Sequence, residues 1–173
     1  PTEGPIVAAL QQLGILTDKH KELLHNCVTV PLLDADGNTV GMYGRRIDDG
    51  AKTRHLYLPG PRRGLVNRQA AATAETIILT ESIIDAISLH QNGFLNAIPL
   101  YGTNGFTEDH LALLQEKRPQ RILLCLDNDE SGRRAAMEIA EKLKALGFPA
   151  EVVALPRAKD INEYFLTGGT KEE

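Results

Sequence analysis

The sequence of 173 residues predicts an α/β protein in which helices flank a mostly parallel sheet, preceded by a smaller, basic α+β lobe. Three observations support this fold class. Strand-like and helix-like segments alternate after residue 75, hairpin signals dominate before it, and basic residues cluster between positions 45 and 68. We therefore expect two domains, 1–73 and 74–173.

The amino-terminal lobe is expected to be built around a β-hairpin. Strand-like runs at 28–33 and 39–47 flank the Asp-Gly-Asn sequence at 36–38, which favours a tight turn. A short strand and a loop rich in proline and glycine follow the hairpin. Two short helices, 6–13 and 18–25, are expected before it.

The carboxy-terminal half alternates between short apolar strands and helices. Such alternation favours right-handed crossovers and a parallel sheet that is covered on both faces. The clearest helix ends before Gly147 and has apolar residues at helical spacing. The predicted strands are 76–80, 96–101, 121–126 and 151–155, and the predicted helices are 82–91, 107–117, 131–146 and a short one after Asp160.

Acidic side chains follow three of the four predicted strands. Glu81 follows the first strand and Asp85 lies one helical turn later, Asp127 and Asp129 follow the third strand, and Asp160 follows the fourth. Because the carboxyl ends of parallel strands meet at one edge, these acids should converge there. A divalent cation such as Mg²⁺ would neutralise their repulsion, which makes Glu81, Asp127, Asp129 and Asp160 candidate metal ligands. Helix capping is the competing interpretation of each acid taken singly.

Groups suited to phosphate binding lie near these acids and in the basic lobe. Lys159 and the turn at Gly102 and Thr103 are expected at the same edge, where they could meet triphosphate oxygens. In the basic lobe, only Asp48 and Asp49 oppose the cluster of positive charge, which suits a polyanion even though the net charge is −4. The candidate nucleic-acid contacts are Arg45, Arg46, Arg54, Arg62, Arg63 and Arg68.

Composition excludes several classes of protein. Hydrophobic residues make up 42% and charged residues 24%, as in soluble globular proteins. No apolar run reaches the roughly 20 residues of a membrane span, and no signal peptide is visible, so we expect a cytoplasmic protein without a membrane partner. Cys27 and Cys125 are expected to be buried thiols in a reducing compartment.

The segment from about residue 75 to 167 resembles a Toprim domain. "LTESIIDA" supplies Glu81, and "LDNDESG" matches the family's Asp-x-Asp-x-x-Gly with Asp127, Asp129 and Gly132. "KDINEYF" resembles the closing Lys-Asp element of primases from phages and mobile elements. This ordered set is more specific than an isolated Asp-x-Asp.

The amino-terminal lobe carries a second resemblance. "VPLLDADGNTVGMYGRRI" and "RHLYLPGPRRGLVN", within residues 28–70, look like the amino-terminal lobe of the bacterial-type DNA primase catalytic core, which other Toprim proteins lack. Two positions depart from cellular primases. Ser82 stands where those enzymes usually have glycine, and Asn162 stands where they often have a second acid.

The combined resemblance implies a nucleotidyltransferase that joins ribonucleotides into short primers on single-stranded DNA. It implies two Mg²⁺ or Mn²⁺ ions, nucleoside triphosphate substrates and catalytic roles for the five acids. It also implies a zinc-binding module and a replicative helicase as partners outside this segment. The alternatives are a Toprim-type nuclease, which uses the same acids with water as nucleophile, and a non-catalytic nucleic-acid-binding module of a replication or mobile-element protein. A phosphotransferase forming a phospho-aspartate at Asp127 would require neither Glu81 nor the basic lobe.

Overall fold

The structure is a computed structural model that describes residues 4–48, 50 and 52–171. It contains two compact units, Pro1–Gly64 and Leu65–Glu173. This division falls earlier in the chain than the predicted boundary between residues 73 and 74, because Leu65 and Ala71 pack in the core of the second unit. Asp49, one of the two acids in the basic stretch, lies outside the described residues.

The first unit contains the predicted hairpin. The carboxylate of Asp34 shapes its turn by accepting hydrogen bonds from the backbone N–H groups of Asp36 and Asn38, each at 2.9 Å. The strands form one antiparallel sheet in the order β1-β2-β3. The elements of this unit are α1 (Pro5–Gln12), β1 (Cys27–Leu33), β2 (Thr39–Arg46) and β3 (His55–Tyr57).

The second predicted helix of this unit, 18–25, is wrong. The segment forms turns, and an antiparallel bridge joins Leu16 to Glu22. His20 has a φ of 55° and Asn26 a φ of 52°, and such left-handed backbone interrupts a right-handed helix.

The second unit confirms the predicted fold class. Its four strands are parallel and lie in the order β5-β4-β6-β7, with helices on both faces. A short 3-10 turn at Arg68–Ala72 precedes the sheet and was not predicted. The elements are β4 (Thr76–Thr80), α2 (Ile83–Gln91), β5 (Ala97–Pro99), α3 (Glu108–Lys117), β6 (Arg121–Cys125), α4 (Glu130–Ala145), β7 (Ala150–Val152) and α5 (Ile161–Leu166).

Apolar side chains cover the two faces of this sheet. Ile77 and Leu79 belong to one buried cluster with residues of α3 and α4, whereas Ile78 belongs to a second cluster with residues of α2 and α5. Each fully buried side chain of this size contributes about 1.5–3 kcal/mol. These layers fix the strands so that their carboxyl ends form one edge.

Two further expectations concern the burial of the cysteines and the length of the helices. Cys27 and Cys125 are free thiols, of which Cys125 is buried and Cys27 is only half-buried. Burial raises the pKa of Cys125 to about 12, which makes it unreactive. Within residues 4–48, 50 and 52–171, every helix is too short or too polar to cross a membrane.

Candidate active site

Glu81 and Asp127 lie side by side at the carboxyl edge of the parallel sheet. The parallel register pairs Thr80 of β4 with Cys125 of β6, so the residues that follow leave the sheet together. The backbone N–H of Asp127 donates a hydrogen bond to Glu81 Oε2 at 3.3 Å. Two acids that are 46 positions apart in sequence therefore meet where the strand pattern predicted.

Negative charge accumulates at this edge. Burial and the charges of Glu81 and Asp85 raise the pKa of Asp127 to about 7. Burial also raises the pKa of Glu81, and the charges of Asp129 and Asp85 add to this effect. Lys159 offsets part of the charge, since its Nζ lies 3.8 Å from Asp127 Oδ2. A bound cation would remove the repulsion that remains.

Asp129 caps helix α4. Its Oδ1 accepts a hydrogen bond from the backbone N–H of Gly132 at 2.8 Å, which lowers the pKa of this carboxyl group. Gly132 is required by close packing, because a Cβ atom there would stand 2.1 Å from the carbonyl oxygen of Asp127. The Asp-x-Asp-x-x-Gly sequence thus seats the start of α4 against the end of β6.

Asp160 caps the shorter helix α5 in the same manner. Its Oδ1 accepts a hydrogen bond from the backbone N–H of Glu163 at 2.7 Å. The charge of Asp160 still contributes to the raised pKa of Asp127. Capping is therefore a correct interpretation for both Asp129 and Asp160, and it coexists with their place near the edge.

Asn128 is a site residue that was not predicted. Its Nδ2 donates to the carbonyl oxygens of Leu155 and Ala158, each at 3.2 Å, and its backbone N–H donates to the carbonyl of Lys159 at 2.6 Å. These bonds hold the segment after β7 beside Asp127. The sequence contains one signal for Asn128. Its side chain is an uncharged amide between two aspartates, which indicates a role different from theirs.

Asp85 is buried, with 4% of its surface exposed, and both its oxygens are engaged. Ser82 Oγ donates to Oδ2 at 2.5 Å, and the backbone N–H of Asn162 donates to Oδ1 at 3.3 Å. Ser88 Oγ in turn donates to Asn162 Oδ1 at 3.0 Å. The two positions that depart from cellular primases, Ser82 and Asn162, therefore meet on one carboxylate that joins α2 to α5. The catalytic role of Asp85 stays a prediction.

The turn after β5 lies next to Glu81. Gly102 has a φ of 91°, and its backbone N–H donates to the carbonyl oxygen of Glu81 at 3.1 Å. This backbone donor is already used within the fold. Thr103 is half-buried and lines a cavity of about 210 Å³ together with Phe106 and Lys142. Triphosphate binding by this turn stays a prediction.

The acids can be compared with what a metal ion requires. Among the residues that the structure describes, no three His, Cys, Asp or Glu side chains form a ready metal cage. Two of the four predicted ligands, Glu81 and Asp127, adjoin each other, and the other two cap helices. Mg²⁺ commonly binds one or two carboxylates and completes its shell with water and substrate phosphates. The pair and its excess charge fit that requirement.

The predicted nucleic-acid contacts divide between the units. Five of the six arginines lie in the first unit. Arg46 forms an ion pair with Asp48 at 3.5 Å. The guanidinium of Arg62 lies 4.7 Å from the ring centre of Tyr57. Arg68 lies in the second unit and pairs with Glu116 at 2.5 Å. Clustering in sequence therefore did not place all six in one unit.

Known proteins resemble this chain over most of its length. Residues 78–165 match the family described as Toprim-like. The DNA primase of Clostridium acetobutylicum is 29% identical over 97% of this chain, which spans about a third of that protein's length (30%). The DnaG catalytic core matches with a TM-score of 0.82 at 23% identity, covering 98% of this chain and 58% of that one. A DnaG primase catalytic domain bound to single-stranded DNA matches with a TM-score of 0.79 at 23% identity, covering 98% and 59%. The chain therefore belongs to the Toprim-like family, and its Toprim domain is of the bacterial primase type.

Proposed function

We propose that this chain is the catalytic core of a DNA primase, which joins ribonucleotides into short RNA primers on a single-stranded DNA template in the cytoplasm. The observation that carries the proposal is the pairing of Glu81 and Asp127 at the carboxyl edge of a Toprim-like sheet. Likeness to a DNA primase along 97% of the chain supports it, because that likeness includes the amino-terminal unit as well as the Toprim domain.

We assign Glu81 and Asp127 to Mg²⁺ or Mn²⁺, with Asp129 and Asp160 close to the same edge. Two such ions, when bound, would activate the 3′-hydroxyl of the primer and neutralise the pyrophosphate that leaves. The chain's own contribution is to hold the carboxylates in place. The parallel register and the Asp127 N–H orient Glu81, and the missing side chain of Gly132 lets α4 begin against β6.

Lys159 is assigned to the incoming nucleoside triphosphate. Its side chain is 61% exposed and its Nζ lies 3.8 Å from Asp127, so it can exchange a carboxylate partner for a phosphate when a cation takes over Asp127. Thr103 is assigned to the same substrate from the turn after β5. The arginines of the first unit are assigned to the phosphates of the template, which carry most of the affinity in such complexes.

The test is primer synthesis by the 173-residue chain. Single-stranded DNA, labelled nucleoside triphosphates and Mg²⁺ or Mn²⁺ are incubated with the protein, and the RNA products are separated on denaturing gels. Asp127→Asn should lower synthesis at least about 100-fold, because the reaction depends on charge neutralisation. Glu141→Gln, an exposed acid on α4, should leave synthesis unchanged. Undiminished synthesis by both Asp127→Asn and Asp129→Asn contradicts the proposal.

The alternative functions give different products in the same reaction series. A nuclease would convert circular single-stranded DNA to linear DNA when metal is present and nucleotides are absent. A non-catalytic module would bind the DNA without forming any product. Either result, obtained with a wild-type chain that makes no primer, favours that alternative over primer synthesis.

A further inference from the structure

Arg45 and His55 face each other across the hairpin of the first unit. They are direct partners in the antiparallel register of β2 and β3, and Tyr43 and Tyr57 form another such pair two residues away. Side chains of this spacing lie on one face of a sheet. Arg45, His55 and Tyr43 therefore share a face.

A chain of hydrogen bonds joins these three side chains. Arg45 Nη1 contacts His55 Nε2, and His55 Nδ1 lies 2.9 Å from the hydroxyl oxygen of Tyr43. A guanidinium group can only donate, so His55 Nε2 must accept. The proton of the neutral imidazole then resides on Nδ1, which donates to Tyr43.

The surroundings favour this neutral form of His55. Partial burial lowers the pKa of His55, and the positive charges of Arg45 and Arg54 lower it further. Tyr43 is 1% exposed, and burial raises the pKa of its hydroxyl to about 12, so it is neutral as well. The only charge within this chain of three groups is therefore the guanidinium of Arg45.

Immobilising the side chain of Arg45 affects phosphate binding. A free arginine side chain carries about 2 kcal/mol of rotamer entropy, part of which is lost when it binds a phosphate. His55 limits that freedom before any ligand arrives. It uses one guanidinium N–H group, and a guanidinium has five such donors, so donors remain for a phosphate.

We propose that His55 is a positioning residue that, as the Nδ1–H tautomer anchored on Tyr43, holds the guanidinium of Arg45 ready for a phosphate of single-stranded DNA. This inference rests on the proposed function, because it assumes that the first unit binds the template. It makes His55 a determinant of template affinity although, in this proposal, His55 is neither charged nor in contact with the DNA.

The binding test is a double-mutant cycle with a fluorescent oligothymidylate, measured by anisotropy at several salt concentrations. Arg45→Gln should weaken binding about fivefold and reduce the slope of log affinity against log salt by about 0.7, the loss of one phosphate contact. His55→Phe should weaken binding about threefold alone and have no effect in the Arg45→Gln background. His55→Gln, which keeps an acceptor, should bind within about twofold of wild type, and so should the control His25→Gln.

Two results overturn the inference and leave the proposed function intact. One is DNA binding by His55→Phe equal to that of wild type. The other is an effect of His55→Phe that is undiminished in the Arg45→Gln background. If the wild-type chain does not bind DNA at all, both the proposed template binding and this inference are wrong. That outcome is recognised because no variant then differs from wild type in DNA binding.

A spectroscopic measurement on the unliganded chain guards against a variant that fails to fold. Long-range proton–nitrogen correlation spectra distinguish the two tautomers of a neutral histidine. Wild-type His55 should carry its proton on Nδ1, and Arg45→Gln should shift the proton towards Nε2. A proton on Nε2 in the wild-type chain overturns the inference.

Discussion

The backbone N–H of Asp127 donates a hydrogen bond to the carboxylate of Glu81, across the carboxyl ends of two adjacent parallel strands. Folding therefore brings a second carboxylate beside one that is already half-buried. The pKa values of both groups are raised, first by burial and then by the charges of neighbouring acids, which shows that keeping negative charge at this edge is unfavourable. Such a penalty is expected where a cation binds, because the ion removes it and converts the two acids into ligands.

This relationship predicts how the metal-free protein responds to pH. Because the pKa of Asp127 is about 7 in the folded chain and about 3.9 in an unfolded chain, its contribution to stability is greatest at low pH and is lost as the pH rises through 7. Asn at this position does not titrate. With EDTA present, Asp127→Asn should gain stability relative to wild type by about 1–2 kcal/mol between pH 5 and pH 8, after allowance for solvent screening.

Urea unfolding at the two pH values measures this gain. Added Mg²⁺ should stabilise the wild-type chain at pH 8 and have little effect on Asp127→Asn. Glu141→Gln on the exposed side of α4 serves as the control and should follow wild type throughout. A stability difference between Asp127→Asn and wild type that is the same at pH 5 and pH 8 would contradict the electrostatic explanation.

Gly132→Ala tests the close approach of α4 to β6. Alanine is a better helix former than glycine by about 1 kcal/mol, so an isolated helix would gain from this change. Here the new Cβ atom would meet the Asp127 carbonyl oxygen at 2.1 Å, and we expect a net loss of about 2–3 kcal/mol of unfolding free energy. Urea unfolding provides the measurement.

Gly102→Ala is the matched control for that substitution. Gly102 has a positive φ, but a Cβ atom there would meet nothing within 4 Å, so only backbone strain of about 1 kcal/mol is expected. If the two variants lose equal stability, the contact with Asp127 is not what requires glycine at position 132.

Asp85 can be tested for a structural role. Asp85→Ala leaves the Asn162 N–H and the Ser82 hydroxyl without their partner, and should cost about 2–3 kcal/mol. Asp85→Asn keeps an acceptor and should cost less than about 1 kcal/mol. Hydrogen exchange should show faster exchange of the Asn162 amide in the alanine variant. A stable Asp85→Asn variant that makes no primer would instead assign Asp85 a role in catalysis.

Much of this architecture could be predicted because the ends of the strands follow from local sequence pattern. The apolar runs before Glu81 and Asp127 fix where each strand stops, and parallel pairing then brings these two acids together. Locating these strand ends in the sequence requires no information about distant contacts. The α/β fold class follows from the same local alternation of strands and helices.

Other features depend on distant partners and could not be predicted. An aspartate before a helix suits capping and metal binding equally, so the sequence could not show that Asp129 bonds to Gly132. The amide between two aspartates marks Asn128 as different, but local pattern does not identify its partners, which are carbonyl groups 27 and 30 residues away. The sequence of residues 18–25 does not indicate the left-handed backbone at His20.

His110 gives the last prediction, a loss of stability in mild acid. The ring is 1% exposed; Nδ1 accepts a hydrogen bond from the Thr107 backbone N–H at 3.1 Å, and Nε2 lies 3.0 Å from the Pro99 carbonyl oxygen, to which it donates. Burial lowers the pKa of His110 to about 4, whereas the unfolded value is about 6.5. Its contribution is therefore complete above pH 6.5 and declines as the pH falls towards 4, by about 3 kcal/mol in total.

In the Asp127→Asn background, which lacks the opposite pH dependence of Asp127, urea unfolding between pH 7.5 and pH 5 should show about 2 kcal/mol of this decline. His110→Gln removes the titrating group and should flatten that part of the profile, even if it lowers stability at pH 7.5. His25→Gln changes an exposed histidine and should leave the profile as it is. His110 packs against the rings of Tyr101 and Phe106, and of these three rings it alone titrates in this range. An unchanged decline in His110→Gln would therefore contradict the prediction and assign the loss of stability to a group elsewhere.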